Sequence, residues 1–467
     1  MMSSADWGGL PLLPLRCVLE HLSTEDALAA TSVCRHWRSA LLLYEGHKET
    51  LKLRVTELDR SMFLTRIFRK YTRRLHVHIN CSDLQLELEE FLNYILPQFF
   101  DTQELNEVVF IGPNYLKQTY LSPIVKLKRK IIEGLLYKHL HCIQKLTFMG
   151  CEMSTMNTVE KENYVHKRYE SYTRPLSFNS VTSPMDAVLS RCSVGLMVFS
   201  TLQHITVDYW SISTEALETL SHLTLFKHLT LNITRRRKMS LAPIDWERLG
   251  AFYPNGLEVS VNIIAIPIRK FDDVIDKVLV SGLNLTSLKV MYCKTFHDPL
   301  LRHLASLFKN TLKELVWVDC PSECPETRPK GGDEEDYDAC NVNPLILICW
   351  QCAQLRRLVI HGYWVWQYDV VGFVRLRKTL RHLEISSVQG TFGRRVARAQ
   401  PSAAHVLVGD APQPLDHHFV HQVNEYTSYR WRPTAWHRLH PGLRAHATPD
   451  QRTAYILHEA RRPLGVT

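Results

Sequence analysis

Cys349 and Cys352 stand in a Cys-x-x-Cys spacing with Cys320, Cys324 and Cys340 close before them, so the first chemistry the sequence raises is thiolate coordination of a tetrahedral metal ion. The run that holds the pair, PLILICWQCAQL, is apolar and reads as a helix, where a free cysteine packs as a small hydrophobe. His76-x-His78 and His139-x-His141 put two imidazoles on one strand face, but no third ligand presents itself beside either pair. No metal and no cofactor are therefore expected. The chain contains no Gly-x-Ser-x-Gly elbow, no Gly-x-x-x-x-Gly-Lys phosphate loop and no His-Glu-x-x-His. The expectation is a chain without catalytic residues of its own, whose work is binding.

Composition narrows the class of binder. At 467 residues with 45% apolar residues, the chain is an ordinary folded protein too long for one compact core, which predicts a small module joined to a large or extended domain. From Ser386 onward there are ten Arg against five Asp and Glu, so more than half of the formal net charge of +9 lies in the last sixth of the chain. Such a tail attracts acidic partners or nucleic acid through its field, but specific nucleic-acid binding is not expected of so modest an excess. The twelve cysteines are scattered singly, several inside apolar runs, which predicts a reducing compartment, cytoplasmic or nuclear. The first apolar stretch is broken by Pro11, Pro14 and Arg16, and the longest apolar string, VSVNIIAIPI, by Asn262 and Pro267, so neither a signal peptide nor a membrane span is expected.

The first fifty residues read as a helical docking module. Leu15, Val18, Leu19 and Leu22 recur at helical spacing, with the prolines confined to the first turn, where a missing N–H does no harm. Ser23-Thr24-Glu25-Asp26 offers caps for a second helix, and Val33, Trp37, Ala40 and Leu41 mark one face of a third. A unit of this size buries little surface, so its spare apolar face needs a cover. Leu10-Pro11, Leu15, Val18-Leu19, Leu22, Asp26 and Val33-Cys34-Arg35-x-Trp37 resemble the spaced pattern of an F-box, although Leu13 stands where many F-boxes carry Glu. The resemblance implies that Leu10, Pro11, Leu15, Val18, Leu19, Leu22, Asp26, Val33, Cys34 and Trp37 bind the S-phase kinase-associated adaptor, and through it cullin and RING subunits of a ubiquitin ligase.

The long middle is an irregular repeat. A Leu-x-x-Leu-x-Leu signature begins at Leu105, Ile143, Leu202, Phe226, Leu285, Leu312, Leu355 and Leu380, with a degenerate copy, GLEVSV, at Gly256. Taking Leu257 as the start of that copy, successive starts after Leu202 are 24, 31, 28, 27, 43 and 25 residues apart, most of them in or near the period of leucine-rich repeats. Each copy supplies one short strand and a returning helix or loop, and only stacking closes a core. The predicted fold is α/β: a three-helix F-box over 8–50, an irregular leucine-rich-repeat solenoid over 53–386, and a basic, partly disordered tail over 387–467 that packs at most near DHHFVHQVNEYTSYRWRPTAWHRL. Of two interruptions, a polar stretch at 152–186 reads as a long loop or a weak repeat, and an acidic, Pro- and Gly-rich one at 320–343 reads as a mobile loop.

One cluster stays open at this level. In CAQLRRLVIHGYWVW, Leu355, Leu358 and Ile360 point inward and Gly362 permits a bend, so His361, Tyr363 and Trp364 either fill the seam or recognise a target. The region NPLILICWQCAQLRRLVIHGYWVW resembles the matching part of one F-box family member, which implies a substrate receptor that holds a target protein near the ligase machinery. The alternative is a non-catalytic repeat scaffold, or a nucleic-acid-associated protein, without a ligase role.

Overall fold

The computed structural model describes residues 7–22, 26, 29–43, 49–79, 85–102, 105–116, 125–153, 199–234, 243–320, 343–389 and 417–462. They fall into two compact units, one holding the described residues up to 113 with 125–153 and 199–202, the other holding 114–116 and those from 203 onward.

In the first unit, α1 (Leu12–His21) follows Pro11 as its N-cap residue, and the Leu15 amide donates to the Pro11 carbonyl. Asp26, Ala29 and Ala30 are helical, and α2 (Arg35–Leu43) completes the module. Four strands follow: β1 (Thr50–Arg54), β2 (Arg74–His78), β3 (Glu107–Ile111) and β5 (Lys145–Met149), parallel and in sequence order. Their returns are helical: α3 (Leu58–Phe68), α4 (Gln85–Glu90), which runs on through a wide turn to Phe99, and α5 (Arg129–Lys138). Alternation puts Leu53, Val77, Phe110 and Phe148 in one buried row, in which the two phenylalanine rings stack at 5.4 Å. A short parallel pair, β4 (Val125–Leu127) with β6 (Cys151–Met153), lies beside them in sequence. Gly112 is required here because a Cβ would meet the Gly150 carbonyl oxygen at 2.1 Å. The sheet begins at Thr50, three residues before the boundary the repeat signature suggests.

The second unit repeats the arrangement with β7 (His204–Asp208), β8 (His228–Thr234), β9 (Glu258–Ile264), β10 (Leu285–Met291), β11 (Glu314–Val318), β12 (Arg357–His361) and β14 (His382–Ile385), all parallel. The returns are α6 (Thr214–Leu220), α7 (Trp246–Gly250), α8 (Phe271–Lys277), α9 (Asp298–Leu307), α10 (Pro344–Gln351) and α11 (Gln367–Leu376). A lesser pair joins β13 (Val365–Trp366) to β15 (Val388–Gln389). Every copy of the signature is one of these strands, which makes the fold α/β and leucine-rich-repeat-like.

The degenerate copy is where the register changes. Leu229 pairs with Val259, but so does Leu285, the first position of its own copy, and Thr286 is the extra residue that lets Leu288 meet Val261. The Thr286 hydroxyl donates to the Val259 carbonyl, filling the bulge. Counting that copy from Leu257 therefore misplaces it: β9 turns Val259, Val261 and Ile263 inward and serves both phases.

The described part of the tail, 417–462, packs beyond the stretch expected to. α12 (His417–Tyr426) and α13 (Pro449–Arg461) are helices, and α13 starts in a capping box between Thr448 and Gln451. Between them, the Tyr429 hydroxyl accepts from the Leu383 amide, the Trp431 indole donates to the Leu383 carbonyl and the Thr434 amide to that of Ile385, so the tail covers the free edge of β14. Residues 390–416, the acidic stretch from 321 to 342 and most of the polar stretch, 154–198, lie outside the described residues.

Candidate functional site

Leu15, Leu19, Ala40 and Leu41 form the core of the N-terminal module, with Leu10, Leu22 and Trp37 packed against it. The Trp37 indole donates to the Trp7 carbonyl at 2.9 Å, and His36 Nε2 lies 2.7 Å from the Leu10 carbonyl, so α2 pins the segment that precedes α1. The ten residues expected to bind an adaptor thus divide by role. Leu15 and Leu19 are fully buried in the core of the module. Leu10, Leu22, Cys34 and Trp37 are half-buried, and Pro11, Val18, Asp26 and Val33 are exposed. Val33 sits before α2 and is 66% exposed, so it does not share the face of Trp37, Ala40 and Leu41. Three apolar residues outside those ten join the exposed set: Trp7, 67% exposed, Leu12, and Leu13, 72% exposed. At about 100° per residue, Leu12 and Val18 flank the buried stripe of α1.

The aromatic cluster is core. Tyr363 and Trp364 are buried, as is His361, so of the two roles left open for them the burial fits the seam. The cause is polar. The Tyr363 hydroxyl donates to the Thr295 carbonyl at 3.0 Å and stands 3.4 Å from the Asp319 carboxylate, which also accepts from the amides of Lys294 and Cys320. Burial pushes both the Tyr363 hydroxyl and the Asp319 carboxyl above their ordinary values. Gly362, in the left-handed region, lets the chain pass Asp319, whose carbonyl oxygen a Cβ would meet at 2.5 Å. His361 Nε2 lies 3.2 Å from the Glu384 carboxylate; burial opposes that charge, but His361 and His382 hold the carboxyl well below its usual range. The aromatics exposed in this region are Trp350 and Tyr368. Cys349 and Cys352 are buried, and burial pushes the Cys352 thiol up to about 12. Among the described residues no group of three His, Cys, Asp or Glu side chains is placed to hold a metal ion, and no helix is long and apolar enough to cross a membrane.

A polar constellation lies on the sheet of the second unit. Register aligns Thr206, Thr230, Ser260, Ser287, Glu314, Arg357 and His382 in one row, and Asp208, Asn232, Asn262, Lys289, Val316, Val359 and Glu384 in the next. Both rows face away from the apolar seam. At β10 to β12 this face is covered by α13. Arg357 donates through its two Nη atoms to the two carboxylate oxygens of Glu459 at 3.0 and 3.1 Å. Lys289 Nζ donates to the Glu459 carbonyl at 2.6 Å and lies 3.1 Å from its carboxylate. Glu314 takes the remaining faces of both cations and a hydrogen bond from Ser287 at 2.6 Å. All four charged side chains are nearly inaccessible. Burial works against the charge on Glu459, but Lys289 and Arg357 outweigh it and hold the carboxyl down to about 2. These residues sit between the leucines of the signature, where only a charge alternation at its third position, Glu314 beside Arg357, marks them in the sequence.

Comparison with known proteins places these regions. Residues 7–45 match the F-box domain family. F-box only protein 33 of Homo sapiens is 22% identical over an alignment of 423 residues that takes in 79% of this chain and 74% of that protein. The Mus musculus protein of the same name is 46% identical over 37 residues, 8% of this chain and 7% of that one. Among solved structures, the leucine-rich repeat-containing protein LegL7 from Legionella pneumophila aligns with 81% of this chain and 99% of its own at 7% identity and a TM-score of 0.37. The N-terminal module is an F-box domain, carried by a chain that is similar along most of its length to F-box only protein 33.

Proposed function

We propose that this chain is the substrate-recognition subunit of a Skp-cullin-F-box ubiquitin ligase. The F-box docks on the S-phase kinase-associated adaptor, which links it to cullin and RING subunits, and the repeat domain holds a target protein in the cytoplasm or nucleus. The chain's contribution is proximity: it raises the effective concentration of target lysines at a charged ubiquitin-conjugating enzyme and carries no chemical step. The observation that supports the reading most is the F-box itself, whose small core leaves Trp7, Leu12, Leu13, Val18 and Val33 exposed. So many exposed apolar residues on so small a module fit a surface that a partner covers.

The test is co-expression with the adaptor followed by gel filtration. Wild type should coelute with the adaptor, and a Pro11→Ala, Val18→Asp double variant, altered only at exposed positions, should not, with an unchanged far-ultraviolet dichroism spectrum. A soluble, monomeric wild type that fails to coelute would overturn the reading and leave a repeat scaffold without a ligase role.

A further inference from the structure

We propose that Lys289 and Arg357 form a seat for the carboxylate of a target's acidic helix, and that α13 occupies this seat with Glu459 until a target takes it. That the seat serves a target rests on the receptor reading above.

The geometry is that of a built anion site. Two cations two strands apart, on β10 and β12, converge on one carboxylate, and their spacing is fixed by the register of the sheet between them. Arg357 grips it with both arms of its guanidinium, the arrangement that gives carboxylate recognition its directionality. Charge makes the seat obligatory: with Glu459 in place the four side chains sum to zero, and without it Lys289 and Arg357 face Glu314 alone with one positive charge in excess. A buried excess charge is unfavourable, so an anion must fill the position whenever the face is covered.

The sheet face also has the character of a separable contact. Apolar residues of similar volume often serve a covered face as well as an ion network or better. Under α13 the register instead sets Ser287, Lys289, Glu314 and Arg357 beside Val316 and Val359. The helix also buries Tyr455, Ile456, Leu457 and Ala460, and directional bonds join it at Thr453, whose hydroxyl donates to the Tyr115 carbonyl at 2.7 Å, and join the segment before it at Gly442, whose carbonyl accepts from the Tyr292 hydroxyl at 2.9 Å. The occupant also defines the ligand. Tyr455, edge-on to the Tyr292 ring, lies one turn before Glu459 on the same helix face, so the partner is a helical peptide carrying an aromatic residue and, four positions later, a glutamate.

The experiment uses the full-length chain and, as ligand, a fluorescein-labelled synthetic peptide of residues 448–462, followed by fluorescence anisotropy. In wild type the tethered helix holds the seat. In a Glu459→Gln chain it holds it weakly, and the peptide should bind at least tenfold more tightly than to wild type. The same peptide with glutamine at its position 459 should lose most of that affinity. Binding to neither chain, equal binding to both, or equal binding of the two peptides would overturn the proposal. Should the variant fail to fold, hydrogen exchange on the wild-type chain decides: amides of α13 exchanging at least a hundredfold faster than those of β10 to β12 support a helix that leaves while the sheet stays folded, and equal rates overturn it. Neither measurement involves the adaptor, so failure of the ligase reading and failure of this one are distinguishable.

Discussion

The F-box and the polar face of the second unit solve opposite problems. The F-box is apolar and short of partners: Leu15, Leu19, Ala40 and Leu41 close its core, and Trp7, Leu13 and Val33 remain outside. The sheet face at β10 to β12 carries buried charges that are paired, because α13 brings Glu459 to Lys289 and Arg357. The difference lies in what each surface demands of whatever covers it. An apolar patch is satisfied by any surface of suitable shape, with a favourable term that grows with area, whereas a buried cation pair accepts only an anion placed to within a hydrogen bond. One surface can stay open to solvent, and the other cannot stay both dry and empty.

The sharpest way to break this comparison is Lys289→Met. It leaves Glu314 and Glu459 sharing Arg357 in a dry site, and loss of one partner from a buried network costs roughly 3–5 kcal/mol. Urea unfolding of the full chain, followed by tryptophan fluorescence, should show the midpoint fall accordingly. Replacing the whole network by Lys289→Met, Glu314→Leu, Arg357→Met and Glu459→Leu should recover most of the loss, since apolar residues of similar volume do as well as a buried ion network. A quadruple variant as weak as the single one would mean that the ions hold the face together in a way apolar packing cannot.

A smaller effect is expected on the other side. Leu15→Ala removes a fully buried side chain from a core of a few residues, and the cost is about 2 kcal/mol, the low end for such changes because so small a core closes partly around the gap. Adaptor coelution should weaken while the unfolding transition of the repeat sheet keeps its midpoint. Leu13→Ala, at an exposed position, should leave stability within about 0.5 kcal/mol of wild type and still reduce coelution, and unchanged coelution would put Leu13 outside the interface.

How far these regions could be read from sequence follows from the same physics. The strands were legible because alternate apolar residues at a steady spacing have one physical use, and each copy from Leu105 to Leu380 became a strand. β1 and β2 lack the first leucine and were included only by continuity. The phase change at Thr286 was hidden, because Leu257, Val259, Val261 and Ile263 are all apolar and any of them fits the signature. His361, Tyr363 and Trp364 were left between two roles, since an aromatic after a strand suits a seam or a surface equally. Only the position of Asp319, 44 residues earlier in sequence, settles Tyr363 as core. The seat of Glu459 could not be read at all: it joins Lys289 and Arg357 to a residue 102 positions beyond the latter, and nothing local in the tail announces it.

The last and smallest effect is one of acidity. Glu459 titrates near its ordinary value when unfolded, about 4.5, and at about 2 when folded. Its folded value is depressed, so its contribution is fully present above pH 4.5 and is lost as the pH falls toward 2. A carboxylate shifted this far contributes roughly 3 kcal/mol at most, spread across that window at about 1.4 kcal/mol per pH unit. Glu314 adds to the same trend, because Lys289 and Arg357 outweigh the effect of burial and hold it below its usual value too. The groups facing Glu459 from the sheet are Lys289, Arg357 and Glu314. The two cations stay charged throughout this range, so protonation of the acids leaves two unneutralised charges under α13. Acid should therefore release α13 before the sheet unfolds, visible as rising hydrogen exchange in residues 450–461 between pH 4.5 and 3 while β10 to β12 remain protected. A Glu459→Gln chain should show α13 already loosened at neutral pH and a shallower acid dependence. If the wild-type helix instead keeps its protection down to the pH at which the sheet itself unfolds, its hold on the polar face comes from Tyr455 and Ile456, and the contrast with the F-box is one of degree.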